Sequence, residues 1–139
     1  MTTSDVKCAL VLAQDLPTGL AVNAAAVLAT SLGLRVPGLV DPDVVDGSGQ
    51  THLGLTRLPL PILETDRSAL STLRDKALAR ADLLVLDFTE VAQHTRTYPD
   101  YEAKLSALPA AALGYLGIAL HGPRKPIAKL IGQLPLLRR

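Results

Sequence analysis

From Leu20 to Ala29 the chain is apolar at every position except Asn23. The stretch holds no proline or glycine, and it reads as a helix over Leu20–Leu32 with Gly33 near its C-cap. A helix apolar on all sides is buried on more than one of them. One side can pack on a sheet. The other must meet another element or another subunit, and the many alanines permit close approach. A homodimer through this helix is therefore expected.

What flanks the helix fixes the fold class. Val6 to Ala13 is a short apolar run that reads as a buried strand. Asp15-Leu16-Pro17-Thr18-Gly19 follows as a turn. Beyond the helix, Val36–Val40 and Thr51–Thr56 read as β-like pieces of a hairpin around Asp41–Gln50. Leu60–Leu63 reads as a strand, and Pro61 within it implies an edge. Asp66 is placed to cap a helix over 67–80, with Leu70, Leu73, Ala77 and Leu78 on one face. Ala81–Phe88 and Leu113–Leu120 read as further core strands. Between them lie a polar stretch, Thr89–Thr97, and a short helix over Pro99–Leu108. Gly122-Pro123 opens a last helix to about Ile131, ended by Gly132. Strands alternating with helices predict one α/β domain over residues 1–139, a three-layer α/β/α sandwich with a mixed sheet of roughly four strands.

Composition narrows the class. A chain of 139 residues with 48% hydrophobic and 19% charged residues can bury a core without a metal or disulfide staple. The one cysteine, Cys8, suits a reducing compartment. Asp5 and Lys7 precede an apolar run of only six residues, unlike a secretory signal. No longer apolar stretch reads as a membrane span. A cytoplasmic location is expected. Net charge is +1, but residues 121–139 carry five basic residues and no acidic one. A basic end can attract phosphate or RNA. A solvated terminal helix explains the same charges. Aromatics are few: Phe88, Tyr98, Tyr101, Tyr115 and no tryptophan. That disfavours a stacking platform for single strands.

Two segments carry a family resemblance. One is Val11-Leu12-Ala13-Gln14-Asp15-Leu16-Pro17-Thr18-Gly19, leading into Ala21-Val22-Asn23-Ala24-Ala25-Ala26. The other is Gly117-Ile118-Ala119-Leu120-His121-Gly122-Pro123, followed by residues 127–132 and 134–137. Together they resemble a family of uncharacterised bacterial proteins known only as a domain of unknown function. That family is similar in fold to the type II peptidyl-tRNA hydrolases. The resemblance covers nearly the whole chain and implies a mixed four-stranded sheet flanked by helices, often dimeric. The hydrolases carry a lysine before the small-residue helix, and a glutamine and a histidine within it. Those positions fall here near Gly19, on Asn23 and on Ala26. Only the amide is kept. Asp87 and Thr89 match the acidic and polar residues after a later strand.

The residues themselves nominate a site at the strand ends, where α/β folds place ligands. Asp15, Asn23 and Asp87 are the candidate catalytic groups, with His52 as an acid or base projecting over them. Thr18, Gly19 and Thr89 are candidate ligand contacts near the helix N-terminus. His121 and Lys125 form a second corner fit for an anion. Turn and cap chemistry accounts equally for Asp15 and Thr18, and a solvent role for His94. Asp41, Asp43 and Asp46 with Gly47 do not fit a calcium loop, because Val45 and His52 occupy two of its ligand positions. No metal and no cofactor is expected: the chain holds neither a P-loop nor a dinucleotide fingerprint. A degenerate hydrolase scaffold that binds a small ligand or partner is the leading expectation. A hydrolase acting on an ester or amide, and an RNA-binding module, are the rivals.

Overall fold

The structure is a computed structural model, and it describes residues 5–138. Arg139, the last of the basic residues, lies outside that range. The first strand, β1 (Val6–Ala13), has six fully buried residues in a row, from Cys8 to Ala13. A strand buried on both faces must be central, and β1 lies inside a four-stranded sheet of order β4-β1-β6-β5. Its neighbours are β4 (Ile62–Thr65), parallel to it, and β6 (Tyr115–Pro123), antiparallel. The outer strand β5 (Leu84–Thr89) runs antiparallel to β6, with a bulge between Phe88 and Thr89. The sheet is thus mixed, as the alternation of elements predicts.

The apolar helix, α1, spans Thr18–Arg35. It buries Ala21, Ala24, Leu28 and Leu32 against the sheet. Leu28 reaches down to Gly117 on β6, where a Cβ would lie 2.7 Å from Leu12 and 3.1 Å from Leu28. Only glycine lets this helix come so close to the sheet. By length and composition α1 is apolar enough to cross a membrane, yet one whole side of it belongs to the core. The helix does not stop at Gly33. It ends where Val36 turns extended ahead of Pro37, because the residue before a proline is held out of the α region. Thr18 makes no cap: Pro17 takes that place without a side-chain hydrogen bond.

The opposite face is covered by α2 (Arg67–Leu78), which buries Leu70, Leu73 and Ala77. Asp66 caps it, its carboxylate accepting from the Ala69 N–H at 2.8 Å. Two short helices follow β5. These are α3 (Glu90–Gln93), capped by Thr89, and α4 (Tyr98–Ser106), capped by Thr97. A 3-10 turn over Ala110–Ala112 leads into β6. The last helix, α5 (Arg124–Ile131), buries Ile127 and Ile131. The chain then runs along the outer edge of β4, where Leu136 pairs with Leu63. The basic end is therefore docked at the sheet as far as that edge. Here β4 begins after Pro61 rather than before it, since a proline cannot donate to the ladder. Between α1 and β4 the chain leaves the body as a hairpin, with β2 (Val44–Val45) paired to β3 (Thr51–His52).

Candidate functional site

The C-terminal ends of β1, β4 and β5 and the start of β6 meet at one end of the sheet. Asp15 follows β1 there, and Arg67 opens α2. The Arg67 Nε donates to Asp15 Oδ1 at 3.0 Å, and its Nη1 donates to Glu90 Oε1 at 2.8 Å. The two carboxylates hold the guanidinium proton more firmly, Asp15 contributing most. Gly114 adopts φ +66° beside Glu90, and a Cβ there would strike the Glu90 carboxylate. Thr89 is buried, and its hydroxyl accepts from the Ala92 N–H, so it serves α3 as a cap. This end carries an exposed ion-pair network.

The pocket lies beside it, along the free edge of β5. An open cleft of about 510 Å³ separates α1 from the α3–α4 segment. That size falls within the range of small-molecule sites. Asn23, Val27 and Ser31 of α1 line one wall, and Arg96, Tyr98 and Tyr101 line the other. Asp87 and Phe88 of β5 form the floor. Asp87 is held from behind: Arg74 Nε of α2 donates to its Oδ2 at 2.9 Å. Arg74 also stacks on the Tyr115 ring, 4.4 Å from its centre, a cation–π contact that fixes the guanidinium. Tyr98 and Tyr101, one helical turn apart, have ring centres 5.5 Å apart and tilted by 55°. Burial raises the Tyr101 phenol pKa, and the nearby Asp87 charge and Tyr98 raise it further, so it stays a neutral hydrogen-bonding group. The same two rings line a second hollow of about 450 Å³, with Glu102 and Leu105.

The fold therefore brings together two of the sequence candidates, Asn23 and Asp87. It does not bring the others to them. Asp15 is outside the cleft, bound to Arg67. Thr18 and Gly19 are exposed at the start of α1 and do not line the cleft. His52 is on the hairpin, its Nε2 2.7 Å from Asp46 Oδ2, and both side chains face solvent. His121 is paired in register with Cys8, at the end of the sheet opposite Asp15. Burial lowers the His121 pKa, which keeps the ring neutral. Lys125 lies near it on the exposed side of α5. Burial also pushes the Cys8 thiol up to about 11, leaving it unreactive.

Three cleft residues escape a reading by motif: Arg96, Tyr98 and Tyr101. They fall in a stretch that reads as polar loop and short helix. The signal present is the spacing of the two tyrosines, which puts both rings on one helix face. Arg96 has no hydrogen bond or ion pair among the described residues. It is a free cation at the rim. The lining contains no histidine and no lysine. Such a wall can bind an anion through Arg96, hold a flat ring against the tyrosines, and read polar edges with the Asn23 amide and the Tyr101 hydroxyl. It lacks a side chain that titrates freely near neutral pH.

The comparisons agree with this picture at the level of fold. A solved protein of unknown function, Atu0240 from Agrobacterium tumefaciens strain C58, superposes with a TM-score of 0.86 at 23% identity, covering 95% of this chain and 97% of that one. No curated protein matches the sequence. The family described as "Protein of unknown function (DUF2000)" matches residues 6–138. The chain, matched over nearly its whole length, belongs to the DUF2000 family.

Proposed function

We propose that this protein binds a small molecule bearing a flat ring and an anionic group, on a scaffold like that of the type II peptidyl-tRNA hydrolases but without their catalytic set. The observation that carries the proposal is the cleft itself. It joins a free arginine, a tyrosine pair, an amide and a carboxylate around a volume of about 510 Å³. Support for the scaffold comes from the strand, Asp-Leu turn and small-residue helix that open the chain, and from the mixed four-stranded sheet. Asn23 keeps the amide of the hydrolase pattern, while Gly19 and Ala26 stand where its lysine and histidine belong.

Binding is favoured over hydrolysis by the state of the carboxylates. A general base needs a lone pair aimed at a substrate proton or water. Asp15 is engaged by Arg67 and Asp87 by Arg74, and no imidazole lines the cleft. The test uses adenosine 5′-monophosphate as a probe, since it carries both a ring and an anion. Calorimetry is expected to give saturable binding, weakened about tenfold or more by Arg96→Ala, the worth of one charge-assisted hydrogen bond. Adenosine affinity should change little in that variant. Absence of binding at millimolar probe, or equal loss for both compounds, counts against the proposal. In parallel, release of an N-acylated amino acid from tRNA is expected to be absent. Turnover that disappears in Asn23→Ala would replace the binding reading with the hydrolase one.

A further inference from the structure

Asp87 is the only carboxylate that lines the cleft, and the fold holds it from one side alone. Arg74 Nε donates to its Oδ2 at 2.9 Å. No other hydrogen bond reaches this carboxylate among the described residues, so Oδ1 keeps its lone pairs. The support behind the pair is itself fixed. The Tyr115 hydroxyl donates to the Ala110 carbonyl at 2.7 Å, and its buried ring carries the Arg74 guanidinium on one face. The Arg74 side chain is 14% exposed and that of Asp87 27%. The acceptor is thus oriented, and has shed most of its water, before a ligand arrives. Both properties strengthen a hydrogen bond made to it.

The other groups of the cleft do not tell one heterocycle from another. Arg96 reads an anion and the tyrosines a flat face. The Asn23 amide and the Tyr101 hydroxyl each donate or accept, so they tolerate either kind of ring edge. An ionised carboxylate accepts and never donates. A ring edge that brings a lone pair against Oδ1 leaves both groups unpaired, and that mismatch is what rejects a wrong ligand most strongly. Resting on the binding reading above, we infer that Asp87 is the specificity-determining residue of the cleft: its Oδ1 selects a ring with an N–H donor on its edge, an amino-substituted heterocycle, over a ring that offers only acceptors. Accepting a hydrogen bond asks less of Oδ1 than taking a proton, so the assignment needs no general base. Burial first, and then the Asp87 charge, raises the Tyr101 phenol pKa, which agrees with a carboxylate close to the wall on which the ring would lie.

Calorimetry of the full chain tests it with three probes: adenosine 5′-monophosphate, its dimethylamino analogue, and purine riboside 5′-monophosphate. The last two keep the ring and the phosphate, but their bases carry no N–H. One is bulkier than the parent compound and the other smaller, so a loss shared by both reports the hydrogen bond rather than the shape. Adenosine 5′-monophosphate is expected to bind about ten- to a hundredfold tighter than either, the worth of a hydrogen bond to a charged group. Asp87→Asn keeps an oxygen for Arg74 Nε and turns an amide N–H to the cleft. In that variant adenosine 5′-monophosphate should fall to the affinity of purine riboside 5′-monophosphate, which should itself bind no worse than before. The comparison in the parent protein needs no variant, and it decides alone should Asp87→Asn fail to fold. Equal affinities in the parent overturn the inference and leave the binding reading standing. Failure of all three probes to bind overturns both. A preference for the amino compound that survives in folded Asp87→Asn assigns the donor to another side chain and overturns the inference as well.

Discussion

His121 is the residue whose environment has the plainest consequence for stability. It lies half-buried on β6, and burial disfavours its charged form, so its folded pKa is below the unfolded value near 6.5. The unfolded chain then binds the proton more readily. Stability from the neutral ring is complete above about pH 6.5 and is lost as pH falls through the lowered folded value. Urea midpoints at pH 8 and pH 5 should therefore drop more for the parent than for His121→Gln. Equal drops would show that the ring does not feel its burial. Gly117 gives a second prediction at this scale. Its Cβ position is blocked by Leu12 and Leu28, both buried, so Gly117→Ala should cost about 1–3 kcal/mol in urea unfolding. An unchanged midpoint would mean that α1 can lift from the sheet without loss. Single residues were legible where chemistry is local. Cys8 on an apolar strand reads as buried, and it is. The pairings Asp15–Arg67 and Asp87–Arg74 were not legible, because each joins residues that only the sheet topology brings together.

At the scale of elements, local rules performed well where one side chain decides the outcome. Asp66 stands three residues before an N–H it can cap, and α2 begins right after it. Asp66→Ala should lower stability by about 1 kcal/mol, read as a shift in the thermal midpoint. No shift would mean that packing of Leu70 and Leu73 alone sets the start of the helix. The exceptions have physical causes. Gly33 reads as a stop, but Pro37 ends α1, because a mid-helix glycine costs only about 1 kcal/mol and the packing of Leu28 and Leu32 outweighs it. The hairpin pairs deeper into its acidic loop than propensity suggests, since Asp46 ties the turn together. The outward apolar side of α1 was legible from composition, whereas the exposure of the hairpin beside it was not, because exposure cannot be read from a run of short β-like pieces.

At the scale of the molecule, topology turns scattered residues into sites. The outer strand β5 leaves one edge unpaired by any described strand. Against that edge α1 and the α3–α4 segment leave a cleft, so Asn23, Asp87, Arg96 and Tyr101 face one volume although they span most of the chain. Sequence order alone gives no hint of Arg96 and marks the tyrosines only by their three-residue spacing, while Asn23 stands out as the one polar residue in an apolar run. The basic C-terminal end is a different case: Arg124 bonds the Val6 carbonyl, and Pro135 and Leu137 are hydrogen-bonded to β4. It reads as part of the sheet's support, with Lys125 and Lys129 left exposed. The measurement that bears most directly on the cleft is a titration of the ¹⁵N-labelled protein with adenosine 5′-monophosphate, followed by amide chemical shifts. The account predicts saturating shifts at Asn23, Asp87, Arg96, Tyr98 and Tyr101, with the hairpin unmoved. Shifts confined to Lys125 and Lys129, or none at all, would contradict it.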